Sequence, residues 1–384
     1  MRLDKRRKLL LISPFILLWL ICQYEVQHAS WLKSYNNHLL AKKRRKKKRI
    51  LWTSVNERIS DVQFRRMFRM NRDCFNTLCQ HIISKVGERK FKSELYIDAF
   101  LKGKDHMYDA HVKTTGGYIS GEVKLAITLR MLAGGDSYDL AVIFDVHFDH
   151  CNRILREVLL NWIIHTDIGD LNMVKYLGDE EAMAKVSAGF SKRSNGVLQG
   201  AIGAIDGWLV RIVRPNWFRD RIKNPSTFFS RKGFFALNVQ CIVNDRKKVL
   251  WVSYSHKGGS YDSSCFKETK LYEYLTMVRE DLFNLGNYLL GDSVYAIESF
   301  ILTTYDGASP LTSEDDFNFY HSSARVTVEC VFGEIDLRWR IFWKMLTCSL
   351  DNSSVIIEGA MRIHNFPVDY RDKLVILQQK YVNK

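Results

Sequence analysis

Proline is scarce, five in 384 residues, and with Trp, Tyr and Phe spread along the chain this excludes a collagen-like or low-complexity protein. Cysteine occurs eight times but never as a CxxC pair. A chain of this length needs no disulfide stapling, so a reducing compartment is the simpler expectation. His147-Phe148-Asp149-His150-Cys151 has a zinc-like composition, but no second ligand cluster of fitting spacing follows, and it reads as a helix start with polar residues at its cap. Long apolar runs are also lacking. Leu9 to Cys22 spans 14 residues, broken by Ser13 and Pro14, where a membrane-crossing helix needs about 20. What is present is a hydrophobic share of 46% and a charged share of 26%, which exclude general disorder. The length allows two or three domains, each with a core of its own.

The charge is unevenly placed. Residues 1–50 hold 14 of the 57 basic side chains and two of the 42 acids, Asp4 and Glu25, which leaves 43 bases and 40 acids for the rest. A basic tail is therefore attached to a nearly neutral body. The tail pulls two ways. Lys5-Arg6-Arg7-Lys8 before the apolar run fits a signal-peptide core, although no good small-residue cleavage site follows. The eight consecutive bases Lys42 to Arg49 read as a nuclear address or a polyanion-binding patch, or as a solvated linker beside a membrane anchor formed by residues 9–22.

From Arg58 to about Trp162 the pattern is helical. Phe64, Met67, Phe68, Phe75, Leu78 and Ile82 recur at helical spacings. Gly116-Gly117 breaks the chain. Ser120 is the expected cap of a helix through Leu132 that turns Glu122, Lys124 and Arg130 outward, and Gly134-Gly135 ends it. Ser137 is expected to cap a short helix over Leu140 to Phe144. After a turn a longer helix buries Cys151, Leu155, Val158 and Trp162. Helix, short helix, turn, longer helix is the layout of a helix-turn-helix, whose second helix enters the major groove. Asn152, Arg153 and Arg156 then carry residue types that hydrogen-bond base edges. The competing reading is an ordinary helical bundle with a solvated arginine face.

Residues 166–200 read as a connector without strong pattern. From Ala201 the texture changes to short apolar strands: Ala201 to Ile205, Ala236 to Val243, Val249 to Tyr254 and Asn287 to Leu290. A helix over Cys265 to Met277 and a long one near Ser323 to Phe342 complete an α/β domain with a mixed sheet. Asp206 and Asp292 each follow a strand, and Glu329 flanks the apolar stripe Val328, Phe332, Ile335, Trp339 and Phe342. Strand-end carboxylates converge where α/β sheets place active sites. Three acids at one rim repel unless a cation neutralises them, and hard oxygen ligands suit Mg²⁺ or Mn²⁺. Two such ions can hold both oxygens of a phosphodiester displacement. Singly, the bland readings are ordinary: Asp-Gly and Gly-Asp-Ser are turn sequences, and Glu329 can pair with Arg325 on the surface for a few tenths of a kcal/mol.

The ordered set of motifs is specific where each alone is weak. GAIDG at 203–207, RKGFFALNVQCIVND at 231–245, GGSYDSSCF at 258–266, YLLGDSVYA at 288–296, RVTVECVFGEIDLRWR at 325–340 and IHNF at 363–366 resemble the PIF/Harbinger superfamily of DDE transposases. FRRMFRMNRDCF at 64–75 and KLAITLRMLAGGDSYDLAVIFDV at 124–146 resemble its helical N-terminal region, so the resemblance spans about residues 60–370. It implies an RNase H-like fold, expected over residues 201–370; the helix-turn-helix-like region is expected over 51–165 and a tail over 371–384. It implies Asp206, Asp292 and Glu329 as catalytic ligands of a divalent metal, expected as two Mg²⁺ or Mn²⁺ ions. The implied chemistry is attack by water on a phosphodiester at a transposon end, then attack of the freed 3′-hydroxyl on target DNA. Asp262 matches a further acidic position, with a helix N-cap as its bland alternative. Arg231 and Lys232 are expected phosphate contacts near the sheet edge. Trp208 stands where a smaller polar residue is more usual, and His256-Lys257-Gly258 where Trp-Pro-Gly is. Double-stranded DNA is the expected partner. A separate Myb-like DNA-binding protein is implied by the resemblance, and a homo-oligomer is a further expectation. A catalytically silent DNA-binding protein is the alternative function. The nucleus is the expected compartment.

Overall fold

The computed structural model describes residues 51–88, 119–166 and 168–382, so the expectations for residues 1–50 lie outside the described residues. Among the described residues, no helix is long and apolar enough to cross a membrane.

The N-terminal half is helical. It contains α1 (Trp52–Arg58), α2 (Asp61–Phe68), α3 (Arg72–Glu88), α4 (Gly121–Leu132), α5 (Ser137–Ile143) and α6 (Phe148–Glu157), which runs on into a π-helical stretch over Val158–Ile164. Ser60 and Gln63 form a reciprocal capping box at the start of α2, satisfying two amides that the helix leaves unpaired. Trp52, Phe64, Phe68 and Phe75 then pack ring on ring, Trp52 and Phe75 stacked at 5.0 Å. Ser120 caps α4 as expected. Asp136 caps α5, in place of the expected Ser137. Lys124, expected outward on α4, is turned inward, where its Nζ meets Glu157 at 2.8 Å. Burying an ammonium is tolerable only with such a partner. Cys151, Leu155, Val158 and Trp162 are buried as the spacing predicts. His147 is the cap of α6, its ring accepting from the Asp149 amide.

The stretch expected as a connector folds. It holds α7 (Met173–Leu177) and α8 (Glu180–Arg193), and α8 packs on the first strand and buries Met183, Val186 and Phe190. The sheet comprises β1 (Ala201–Arg211), β2 (Ala236–Val243), β3 (Val249–Lys257), β4 (Tyr288–Leu290) and β5 (Ile301–Leu302), in the order β3-β2-β1-β4-β5. Antiparallel pairs join β3, β2 and β1, and parallel pairs join β1, β4 and β5. Between them lie α9 (Trp217–Asp220), α10 (Asp262–Lys267), α11 (Lys270–Met277) and α12 (Arg279–Asn284). Helices α10 and α11 replace the one helix expected over 265–277, because Thr269 caps α11 and restarts the chain. The domain closes with α13 (Ser313–Arg338) and α14 (Leu350–Val382). Helix α13 begins ten residues earlier than expected, capped by Thr312, and α14 continues through the expected tail.

Each face of the sheet has its own apolar core. One joins Ala204, Val239 and Cys241 to Val328, Phe332 and Ile335 of α13 and to the N-terminal helices. The other joins Ile202, Ile205 and Ile242 to Phe266, Leu271 and Leu275 of α10 and α11. This mixed five-stranded sheet flanked by helices is compatible with the RNase H-like expectation.

Candidate active site

Strand β1 does not stop before Asp206. It runs on to Arg211, and Asp206 pairs with Cys241 inside the sheet. The Trp208-Leu209-Val210 sequence, rich in strand-forming residues, overrides the turn tendency of Asp-Gly. The register then sets the geometry. Ala204 pairs with Leu290 on the neighbouring parallel strand β4, and Asp206 and Asp292 each lie two residues beyond that pair. Parallel strands lie about 4.8 Å apart, so Asp206 and Asp292 come from neighbouring strands, near enough for the charge of Asp292 to act on Asp206. Both accept a hydrogen bond from the amide of the next residue at 2.7 Å, Gly207 for one and Ser293 for the other.

Glu329 arrives from α13. That helix lies on the Asp206 face of the sheet, with Phe332 stacked on Trp208 at 5.8 Å between centroids. Trp208, one of the departures from the resemblance, thus seats the helix. Arg325, one turn before Glu329, does more than the expected surface pairing. One guanidinium nitrogen meets Glu329 at 2.6 Å and another meets Asp206 at 3.3 Å. Arg325 is 16% exposed and Asp206 19%, while Glu329 is half exposed. The Asp206 carboxyl is pushed up to about 6, by burial first and also by the charges of Asp262 and Asp292. The Gly207 amide and Arg325 oppose that rise without cancelling it.

This shift has a consequence for stability. A carboxyl whose folded value is raised favours the folded state fully below the unfolded value of about 4, and that contribution is lost as pH rises through about 6. Metal-free Asp206→Asn protein is therefore expected to be more stable than the natural chain at pH 7, by on the order of 2 kcal/mol. The gap closes in acid. Calorimetric melting in EDTA at both pH values checks it; a variant less stable at neutral pH contradicts the burial account.

Asp262 does not cap its own helix. Tyr261 occupies the cap position without a side-chain bond, and Asp262 sits in the first turn of α10. Its carboxylate accepts from Asn238 at 2.7 Å and Gln240 at 3.1 Å, and Gln240 in turn accepts from the Tyr295 hydroxyl at 2.6 Å. Gly207 pairs with Gln240, so Asp262 lies on the face of the sheet opposite Asp206. A Cβ on Gly207 would fall 2.1 Å from the Asp262 Oδ1, so the approach requires glycine. Sequence reasoning missed this network, although Asn238 and Gln240 at alternate positions of an otherwise apolar strand were its signal.

The other expected residues sit elsewhere. Asn152, Arg153 and Arg156 are exposed on α6, with Arg156 donating to Asn352 of α14 at 2.8 Å. Arg231 and Lys232 are exposed in the turn between Phe229 and Phe235. None of these five stands among the three acids.

As arranged, no group of three His, Cys, Asp or Glu side chains among the described residues is close enough to hold a metal ion. Arg325 supplies the positive charge between Asp206 and Glu329. The donor set itself, three carboxylates with hard oxygens, fits Mg²⁺ or Mn²⁺.

Comparison with known proteins bears on the same segment. The family model of DDE superfamily endonucleases matches residues 205–365, a span that includes Asp206, Asp292 and Glu329. The chain is 22% identical over 302 residues to "Protein ALP1-like" of Arabidopsis thaliana, covering 76% of this chain and 71% of that protein. No solved structure matches the chain. Residues 205–365 are thus similar to DDE superfamily endonucleases.

Proposed function

We propose that the protein is a divalent-metal-dependent DNA endonuclease of the DDE type and of PIF/Harbinger kind, cutting and joining DNA at transposon ends in the nucleus. The observation that supports this reading is that Asp206 lies on the strand beside the one that leads to Asp292, and that Arg325 of α13 bridges Asp206 to Glu329. Bound Mg²⁺ or Mn²⁺ supplies charge to the attacking and leaving oxygens of a phosphodiester displacement. The chain's part is positioning. The Gly207 and Ser293 amides orient the two aspartates, and Trp208 seats the helix that carries Glu329. Arg325, once released from its two acids, is available to a phosphate oxygen. Arg231 and Lys232, exposed in their turn, reach DNA phosphates. The basic block at 42–49 supports the nuclear assignment, and a full-length reporter fusion found outside the nucleus contradicts it.

The cutting is tested with full-length protein and supercoiled plasmid carrying the flanking genomic repeats, in Mg²⁺, Mn²⁺ or EDTA. Relaxation of the plasmid in either metal, absent in EDTA, is the expected result. An intact plasmid under all three conditions contradicts it. The helix-turn-helix reading of α5 and α6 has its own test. Arg153→Ala is expected to weaken binding to the repeat sequence by about 1–3 kcal/mol, with less effect on a scrambled duplex, as read by fluorescence anisotropy. Equal losses on both assign Arg153 to the backbone.

The ion pairs of Arg325 favour a second reading, a catalytically silent DNA-binding protein, because Asp206 and Glu329 are neutralised there without a metal. Sequence-selective binding without cutting in either metal distinguishes it.

A further inference from the structure

Three arginines far apart in sequence meet beside one turn. Arg69 ends α2 with a left-handed backbone, φ 62°. Arg130 lies in the last turn of α4. Arg340 follows α13, its guanidinium over the Trp343 ring at 4.6 Å. The turn Gly134-Gly135 is shaped by their approach. Gly134 has φ 91°, and a Cβ there would lie 2.9 Å from that of Arg340. A Cβ on Gly135 would lie 2.8 Å from the Arg130 carbonyl oxygen. Burial, and then the charges of Arg340 and Arg130, lower the pKa of Arg69. Among the described residues none of the three has a carboxylate partner, and the buried Nε of Arg69 has no hydrogen-bond acceptor. Arg69 also lines a cleft of about 810 Å³ together with Arg65, Arg66 and Arg338. The acid lining it, Glu334, is already paired with Lys247 at 2.6 Å.

Like charges gathered without a counter-ion cost stability. The same guanidiniums around an anion reverse the sign of that term, because each presents a donor fork that matches phosphate oxygens. We propose that Arg69, Arg130 and Arg340, with the arginine-lined cleft beside them, bind backbone phosphates of double-stranded DNA. The Gly134-Gly135 turn leads directly into α5, and in a helix-turn-helix the first helix runs across the DNA backbone. The inference rests on reading α5 and α6 as facing DNA. It does not rest on cutting. Arg338 lies nine residues after Glu329 on α13, about two and a half turns, and so projects from the opposite side of that helix. The grip is therefore on DNA away from the scissile bond.

The test measures binding of the full-length chain to a random-sequence duplex in EDTA over a range of salt concentrations. Each phosphate contact contributes about 0.9 to the slope of log K against log salt. Arg340→Gln and Arg130→Gln are each expected to lower the slope by about 0.9, and together by twice that, while Arg340→Lys keeps the slope. Melting of each variant is followed alongside. A higher melting temperature with an unchanged slope overturns the proposal, since the cluster is then only a source of repulsion. A parallel titration with inorganic tripolyphosphate covers the other source of phosphate. Loss of its binding in Arg340→Gln, with the DNA slope intact, also overturns the proposal, in favour of a small-anion site. Because no metal is present, failure to cut DNA leaves this result readable.

Discussion

Asp292→Asn is expected to abolish DNA cutting by the full-length chain while leaving its DNA binding in EDTA unchanged. The substitution keeps the shape of the side chain and the oxygen that accepts from the Ser293 amide at 2.7 Å. It removes the charge. A metal held at the site supplies several kcal/mol to the transition state, and about 4 kcal/mol corresponds to a rate loss of about 10³-fold. Asp206→Asn is expected to do the same, yet to be the more stable protein at neutral pH when metal-free. That pairing of lost activity with gained stability separates a functional carboxylate from a structural one, because a structural partner of Arg325 would lose stability when neutralised. A cutting rate unchanged in Asp292→Asn removes the DDE reading of this site.

The largest expected effect on folding is at Trp339. It lies just past the end of α13, fully buried, and its indole nitrogen donates to the Ala360 carbonyl of α14 at 3.0 Å. Trp339→Ala removes a large buried side chain and the indole hydrogen bond that ties it to α14. Losses of this kind cost about 3–5 kcal/mol, and the lost hydrogen bond adds about 1 kcal/mol. Urea denaturation is expected to show a midpoint well below that of the natural chain. A loss under about 1 kcal/mol would mean that the site collapses around the gap and that Trp339 does not hold α13 against α14. Glu329 rides on α13, so this packing also fixes one of the three acids.

The three acids were legible in the sequence as residue types near element ends, but what joins them was not. Asp206 looked like a turn residue, because Asp-Gly after an apolar run is a turn signal, whereas pairing with β2 carries the strand through it. The nearness of Asp206 and Asp292 depends on register, which local pattern does not encode. Arg325 was visible as a partner of Glu329 at helical spacing; its second bond, to Asp206, needs the helix laid on the sheet. Lys124 looked like a solvated lysine, since only the fold brings Glu157 to it. Helix α8 was overlooked because Ala, Gly and Ser dilute its apolar spacing. The meeting of Arg69, Arg130 and Arg340 had no local signal at all. What periodicity did reveal, the buried stripe of α6 and the apolar face of α13, depends on nearest neighbours along one helix.

The central claim is that Asp206, Asp292 and Glu329 form a site for divalent metal, and the direct measurement is equilibrium Mn²⁺ binding to the full-length chain, followed by electron paramagnetic resonance of the free ion. The account predicts bound Mn²⁺ in the natural chain, displaced by Mg²⁺, and loss of that binding when Asp206 and Asp292 are both changed to Asn. Mn²⁺ binding of equal strength in the double variant, or none in the natural chain with or without duplex DNA, would contradict it.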